Sequence, residues 1–79
     1  MTTKYFQKYS EKQKKHFAFM LKIKREALNI SQYEIAEKLG YSVRMYRAWE
    51  RGSRFPCEEI IEEIIDFFNS TELIMLGDK

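Results

Sequence analysis

Two short helices with well-marked ends lie in the middle of the chain, and they constrain its fold more than any other feature. Ser31 and Glu34 form a capping box, in which each side chain accepts a hydrogen bond from the other residue's backbone amide. Gly40 supplies the left-handed backbone that ends a helix, and Ser42 is a further N-cap two residues later. The spacing therefore predicts two helices of about eight residues joined by a tight Gly-Tyr-Ser turn.

So tight a turn makes the two helices cross steeply, as in a helix-turn-helix unit, which we place at residues 31–51. Around the second helix, Tyr46 and Trp49 fall on the side predicted to face the core. The opposite side is predicted to present these residues to solvent: Val43, Arg44, Arg47, Ala48 and Arg51. Arginine donates two hydrogen bonds to guanine O6 and N7, and a helix fits the major groove, which is about 12 Å wide. This face is therefore typical of a helix that reads DNA, although any solvated helix face is also charged.

Apolar spacing predicts one long helix before this unit and two helices after it. The first begins at Ser10, which is also a capping-box serine, and it follows an arm or frayed helix start at residues 1–10. The C-terminal region, residues 56–76, is interrupted by Asn-Ser at 69–70, which divides it into two helices. The sequence therefore predicts an all-α fold, a compact bundle of about five short helices in a single domain over residues 1–79.

Charge is distributed unevenly along the chain. Residues 1–54 hold 13 Lys or Arg and 5 Asp or Glu, a balance of +8. Residues 55–79 hold one Lys and 7 acids, a balance of −6, and the two halves add to the net charge of +2. A molecule polarised in this way presents a positive face to an anionic partner, and nucleic acid fits best. An anionic membrane surface or an acidic protein also fits the charge alone.

Several other classes of protein are disfavoured. No run of about 18 apolar residues is present, so no membrane span is expected, and the N-terminus lacks the apolar stretch of a secretory signal. The lone Cys57 excludes an internal disulfide and favours a reducing, cytoplasmic compartment. Neither Cys57 nor His16 has partners at ligand spacing, so no metal or cofactor is expected. The glutamate pairs within residues 58–63 are better explained as solvated surface than as an acid–base pair, so we expect no enzyme activity.

The stretch from residue 21 to residue 68 resembles the Cro and phage-repressor (Xre-type) helix-turn-helix family. The resemblance rests on an ordered set of residues: Arg25, residues 30–40 (ISQYEIAEKLG), Ser42, residues 49–52 (WERG) and Pro56. It implies a lambda-repressor-like fold that binds double-stranded DNA sequence-specifically, with the third helix in the major groove. It also implies regulation of transcription, as a repressor of phage or mobile-element type.

The resemblance implies a role for individual positions. Base contacts are implied for Val43, Arg44, Arg47 and Ala48, of which Arg44 and Arg47 are the principal readers. Backbone contacts are implied for Gln32, Ser42, Arg51, Ser53 and Arg54. Arg25 and Glu50 match a partly buried ion pair that joins the first and third helices, and its role is structural because breaking it strands a buried charge. Val43 and Ala48 stand where amide side chains are common, so they offer only apolar contact, for instance with a thymine methyl.

The C-terminal helices, residues 56–76, carry more apolar side chains than one small core needs. We therefore expect a second interface there, and a homodimer is the favoured use of it. A dimer predicts an operator that is an inverted repeat with half-sites about 34–36 Å apart. The alternative is a protein partner that docks on these acidic, apolar helices, which would make the chain a protein-interaction module (an inhibitor or adaptor) built on the same fold.

Overall fold

The structure, a computed structural model, describes the backbone of residues 9–77 and the side chains of residues 9–71. That part of the chain contains four helices and no strand: α1 (Glu11–Ala27), α2 (Gln32–Leu39), α3 (Val43–Arg51) and α4 (Glu58–Gly77). The predicted all-α class is confirmed. None of these four helices is long and apolar enough to cross a membrane.

Hydrogen bonds of serine side chains mark the starts of the first three helices. Ser10 Oγ accepts from the amide of Gln13 at 3.1 Å, and the Gln13 side chain accepts from the Ser10 amide at 2.8 Å. Ser31 and Glu34 make the same reciprocal pair at 3.0 and 3.2 Å. Ser42 Oγ accepts from the amide at position 45 at 3.1 Å and caps α3. Each cap satisfies amides that have no partner within the helix, so the local sequence decides where these helices begin.

The turn between α2 and α3 depends on Gly40. Its φ of 89° lies in the left-handed region, which favours glycine. The amides of Gly40 and Tyr41 both donate to the carbonyl of Ala36, at 2.9 Å each, and close the end of α2. Only three residues then separate α2 from α3, as the sequence predicts.

The core lies where α1, α2 and α4 meet the inner side of α3. Tyr46 and Trp49 of α3 are 0% and 3% exposed, which agrees with the side predicted to be buried. Buried residues of the other three helices pack around them: Leu21, Ile35, Ala36, Ile64 and Phe68. The inner side of α3 is therefore packed against all three of the other helices.

The loop before α4 is attached to α1 by aromatic contacts. The ring of Phe55 lies 5.5 Å from that of Phe17 and 5.3 Å from that of Tyr9, measured between centroids. Tyr9 is the one aromatic residue of the predicted arm within the described residues, and it packs back onto the domain. Residues 1–8 of that arm lie outside them.

The predicted break at residues 69–70 is wrong. α4 runs continuously from Glu58 to Gly77, so the described residues contain four helices where the sequence predicted five. Asn and Ser are only mildly unfavourable inside a helix, and no proline or glycine interrupts this stretch. Thr71 Oγ1 also donates a hydrogen bond to the carbonyl of Phe67 at 2.8 Å. This bond spans four residues, so it requires the helix to be continuous there. Pro56, where the C-terminal helical region was predicted to begin, lies before the helix and is buried.

Candidate nucleic-acid interface

The outer face of α3 carries exposed cationic side chains. Arg44, Arg47 and Arg51 are all exposed, and Arg54 is exposed in the loop that follows. The sequence placed the three helical arginines on this face, and the structure brings them together there. Guanidinium groups on one exposed helix face are suited to contact base edges and phosphates of a duplex.

Ala48 does not share this face, and its expected exposure beside the arginines is wrong. Its side chain is only 7% exposed, because α1 packs along this side of α3. The close approach is visible at Gly52, where an added Cβ would meet the Cβ of Ala18 at 4.0 Å. Val43 is half-buried and packs against the core, so only part of its side chain is available to a ligand. The burial of Ala48 leaves too little surface for the base contact that the resemblance implies.

Glu50 joins three helices through four hydrogen bonds. Its Oε2 accepts from Arg25 Nε of α1 and from the hydroxyl of Tyr46, both at 2.6 Å. Its Oε1 accepts from Gln32 Nε2 of α2 at 2.9 Å and from Arg25 Nη2 at 3.3 Å. Arg25 Nη1 also donates to the carbonyl of Ile30 at 2.8 Å. The ion pair that the resemblance implies is therefore the centre of a network that orients α3 against α1 and α2.

The network shifts the protonation of its members. Burial alone would raise the pKa of Glu50, but hydrogen bonds from Arg25, Tyr46 and Gln32 outweigh it and lower that pKa below the ordinary value. The hydrogen bond with Glu50 raises the pKa of Arg25. Burial, and then the hydrogen bond to Glu50, raise the pKa of Tyr46. At neutral pH the network therefore holds a carboxylate, a guanidinium and a neutral phenol.

Gln32 connects this network to the exposed face. Its Nε2 donates to Glu50, so its Oε1 points the other way and accepts from Arg47 Nε at 3.1 Å. Both ends of the amide are thus engaged within the protein. The Nε2 group still carries a second hydrogen that can be donated to a phosphate oxygen, so the phosphate contact implied for Gln32 stays a prediction. As the first residue of α2, Gln32 also has a backbone amide in a helix turn whose amides have no partner within the helix.

An open cleft of about 400 Å³ separates the end of α1 from the α2–α3 unit. Its walls are predominantly cationic and polar: Lys22, Arg25, Gln32, Arg47, Glu50 and Arg51. Since Glu50 is satisfied by Arg25, the exposed charges of Lys22, Arg47 and Arg51 give the cleft a positive character. Lys22 was missed by the sequence reasoning, although its position three residues before Arg25 indicates the same side of α1.

The remaining predicted backbone contacts surround the ends of α3. The Ser42 hydroxyl oxygen accepts a hydrogen bond from a backbone amide of α3. The hydroxyl hydrogen is not used in that bond and can be donated to a phosphate oxygen. Arg51 Nη2 donates to Ser53 Oγ at 3.4 Å, and that hydroxyl donates to the carbonyl of Ala48 at 3.4 Å. Arg54 is exposed beside them. The structure therefore places Ser42, Arg51, Ser53 and Arg54 at the two ends of α3.

Among the described residues, no three His, Cys, Asp or Glu side chains are grouped so as to hold a metal ion. Cys57 is exposed and not in a disulfide.

The chain is similar in sequence to a helix-turn-helix family, which matches its residues 21–74. Of the curated proteins, the type II methyltransferase M.SsoII of Shigella sonnei is 40% identical over 55 residues, which cover 66% of this chain. The chain spans only 14% of the length of that protein. No solved structure matches the chain significantly.

Proposed function

The chain belongs to the helix-turn-helix family of Cro and phage-repressor (Xre-like) type, and we propose that it is a sequence-specific, double-stranded DNA-binding repressor of transcription. Membership of the family implies DNA binding. The observation that carries the proposal is the exposed arginine face of α3, which continues into the cationic cleft. Genes of phage or mobile-element type are the proposed targets.

In the proposed complex α3 lies in the major groove. Arg44 and Arg47 contact base edges, and the exposed part of Val43 adds an apolar contact with a thymine methyl. Positioning on the phosphates is proposed for these side chains: Lys22, Ser42, Arg51, Ser53 and Arg54. Ala48 is omitted because its side chain is buried.

The contact between Arg47 and Gln32 supports a particular geometry for base recognition by the Arg47 guanidinium group. Because Arg47 Nε is occupied by Gln32 Oε1, the two terminal nitrogens of the guanidinium are the pair left to face the groove. That pair matches guanine O6 and N7, which lie side by side at the groove edge. Gln32 is therefore proposed as a positioning residue for Arg47.

We also propose that the protein acts in the cytoplasm as a homodimer on an inverted repeat, which would give two recognition helices a symmetric operator. The proposed activity is binding, without catalysis. Methyl transfer, which the name of the similar Shigella sonnei protein describes, is not proposed for this chain, which matches only 14% of that protein.

Selection of bound duplexes from a random pool tests this function. With the full chain at about 150 mM salt, where non-specific binding is weakened, we expect an enriched palindromic motif. The variant Arg44→Ala/Arg47→Ala should lose the motif but keep its circular dichroism spectrum, since both side chains are exposed. Lys38→Ala removes an exposed charge at the far end of α2 and should keep the motif. No enrichment by a folded chain would contradict the proposal and favour the protein-interaction module.

A further inference from the structure

Tyr33, in the first turn of α2, carries an aromatic ring that the core does not bury. The residue is 63% exposed, more than any other large apolar residue in the part of the chain whose side chains the structure describes. Single exposed apolar residues are common on protein surfaces, so exposure alone gives Tyr33 no role. What distinguishes Tyr33 is the surface on which it lies.

Tyr33 lies beside the start of α3. An open cleft of about 180 Å³ separates α2 from the first residues of α3, and Tyr33 lines it together with Tyr41, Ser42 and Val43. Ser42 is proposed above to contact a phosphate, and Val43 a thymine methyl. Tyr33 also directly follows Gln32, the first residue of α2. Tyr33 therefore borders the proposed DNA interface from the side of α2.

The two tyrosines of this cleft differ in what their hydroxyl groups bind. The Tyr41 hydroxyl donates to Glu63 Oε1 of α4 at 2.6 Å, so its hydrogen is used within the protein. The Tyr33 hydroxyl has no hydrogen-bond partner within residues 9–71. It is therefore a donor, in an exposed position, that a ligand oxygen can accept.

We propose that the Tyr33 hydroxyl donates a hydrogen bond to a phosphate oxygen of the bound duplex, a contact that rests on the proposed function. In a helix-turn-helix the second helix lies in the major groove and the first crosses the backbone, so a side chain of α2 reaches phosphates rather than bases. Tyrosine side chains are among the groups that contact phosphate oxygens in DNA complexes. One turn farther along α2, the exposed carboxylate of Glu37 lines the same cleft and repels an anion, which favours a phosphate at the Tyr33 end.

A phosphate contact by a tyrosine differs from one by a cation in its dependence on salt. Lysine and arginine neutralise phosphates and release counterions, so each such contact steepens the fall of log affinity with log salt. A tyrosine hydroxyl carries no charge at neutral pH and releases none. Loss of the Tyr33 hydroxyl should therefore weaken binding by the same factor at every salt concentration.

Fluorescence anisotropy of the full chain on the selected duplex, at several salt concentrations between about 50 and 200 mM, tests this contact. Tyr33→Phe keeps the ring and should weaken binding by roughly tenfold, as expected for a hydrogen bond to a charged group, with an unchanged slope. The factor should be the same on a duplex with one base pair changed, because phosphates carry no sequence information directly. Tyr41→Phe is the matched control: it makes the same change in the same cleft, and it should keep the wild-type affinity because the Tyr41 hydroxyl donates to Glu63.

The outcomes separate this contact from the proposed function. Unchanged affinity of Tyr33→Phe, while the wild-type chain binds its duplex, overturns the contact and leaves the proposed function standing. A loss on one duplex sequence alone also overturns it, because the acceptor is then a base, as does a loss that accompanies a lower melting temperature. A folded wild-type chain that binds no duplex overturns the contact and the proposed function together.

Discussion

Arg47 Nε, on the exposed face of α3, donates a hydrogen bond to Gln32 Oε1 across the turn, at 3.1 Å. The same amide donates through its nitrogen to Glu50 at 2.9 Å. A side chain proposed to read DNA is therefore connected, through one glutamine, to the half-buried network that sets the angle of its own helix. Orientation of this kind reduces the entropy that a long arginine side chain loses when it binds.

Replacing Gln32 with leucine should reduce the discrimination of bases without weakening DNA binding in general. Arg47 loses its acceptor, so the preference for guanine at one position should fall by roughly tenfold, within the range of about 1–3 kcal/mol for a bidentate pair. Titration of the selected duplex against one with that base pair changed, followed by fluorescence anisotropy, measures the ratio. An equal loss on both duplexes, with an unchanged melting temperature, would instead indicate a phosphate contact by Gln32.

Breaking the pair between Arg25 and Glu50 should cost much of the stability of the domain. The two side chains are 12% and 5% exposed, so Arg25→Met leaves a buried carboxylate without its partner and should lower the free energy of unfolding by about 3–5 kcal/mol. Urea denaturation measures this change. The control is Lys14→Met, which removes a pair with Glu11 at 3.8 Å on the surface and should cost about 0–1 kcal/mol. Similar losses in the two variants would contradict the central role of Glu50.

Stability should fall with acidification because the pKa of Glu50 is lowered in the folded state. Glu50 therefore binds a proton more readily in the unfolded chain than in the folded one. Its contribution to the free energy of unfolding is fully present above its unfolded pKa, which is about 4.3. That contribution is lost as the pH falls from there through the folded pKa. Glu50→Gln should therefore give a flatter profile of unfolding free energy against pH below about pH 5. Glu37→Gln, which changes an exposed glutamate on α2, should keep the wild-type slope.

Salt dependence should separate phosphate contacts from other surface charges. Lys22→Ala, Arg51→Ala and Arg54→Ala should each reduce the slope of log affinity against log salt by about 1, for every duplex sequence alike. Affinities at several salt concentrations between about 50 and 200 mM provide the slopes. Lys38→Ala should leave the slope as it is in the wild type. An unchanged slope for Lys22→Ala would show that the α1 side of the cleft does not contact DNA phosphates.

Local sequence predicted most of the framework correctly. The caps at Ser10, Ser31 and Ser42 act over three residues or fewer, and Gly40 needs only its own backbone conformation, so neighbouring residues suffice to predict those helix ends. The exception was α4, for which the sequence predicted a break that the structure does not show. The Asn-Ser pair at 69–70 indicated a break, but its weak preference was too small to interrupt a helix that is packed on the core through residues such as Phe68.

The sequence by itself determined where the first three helices begin and that Arg44 and Arg47 are exposed, because capping and helical period depend on residues close together in the chain. The tertiary structure alone decided that Ala48 is buried by α1 and that Gln32 turns its oxygen toward Arg47. It also decided that Lys22 shares a cleft with α3. These features depend on how far one helix covers another, and that packing joins residues that are distant in the sequence.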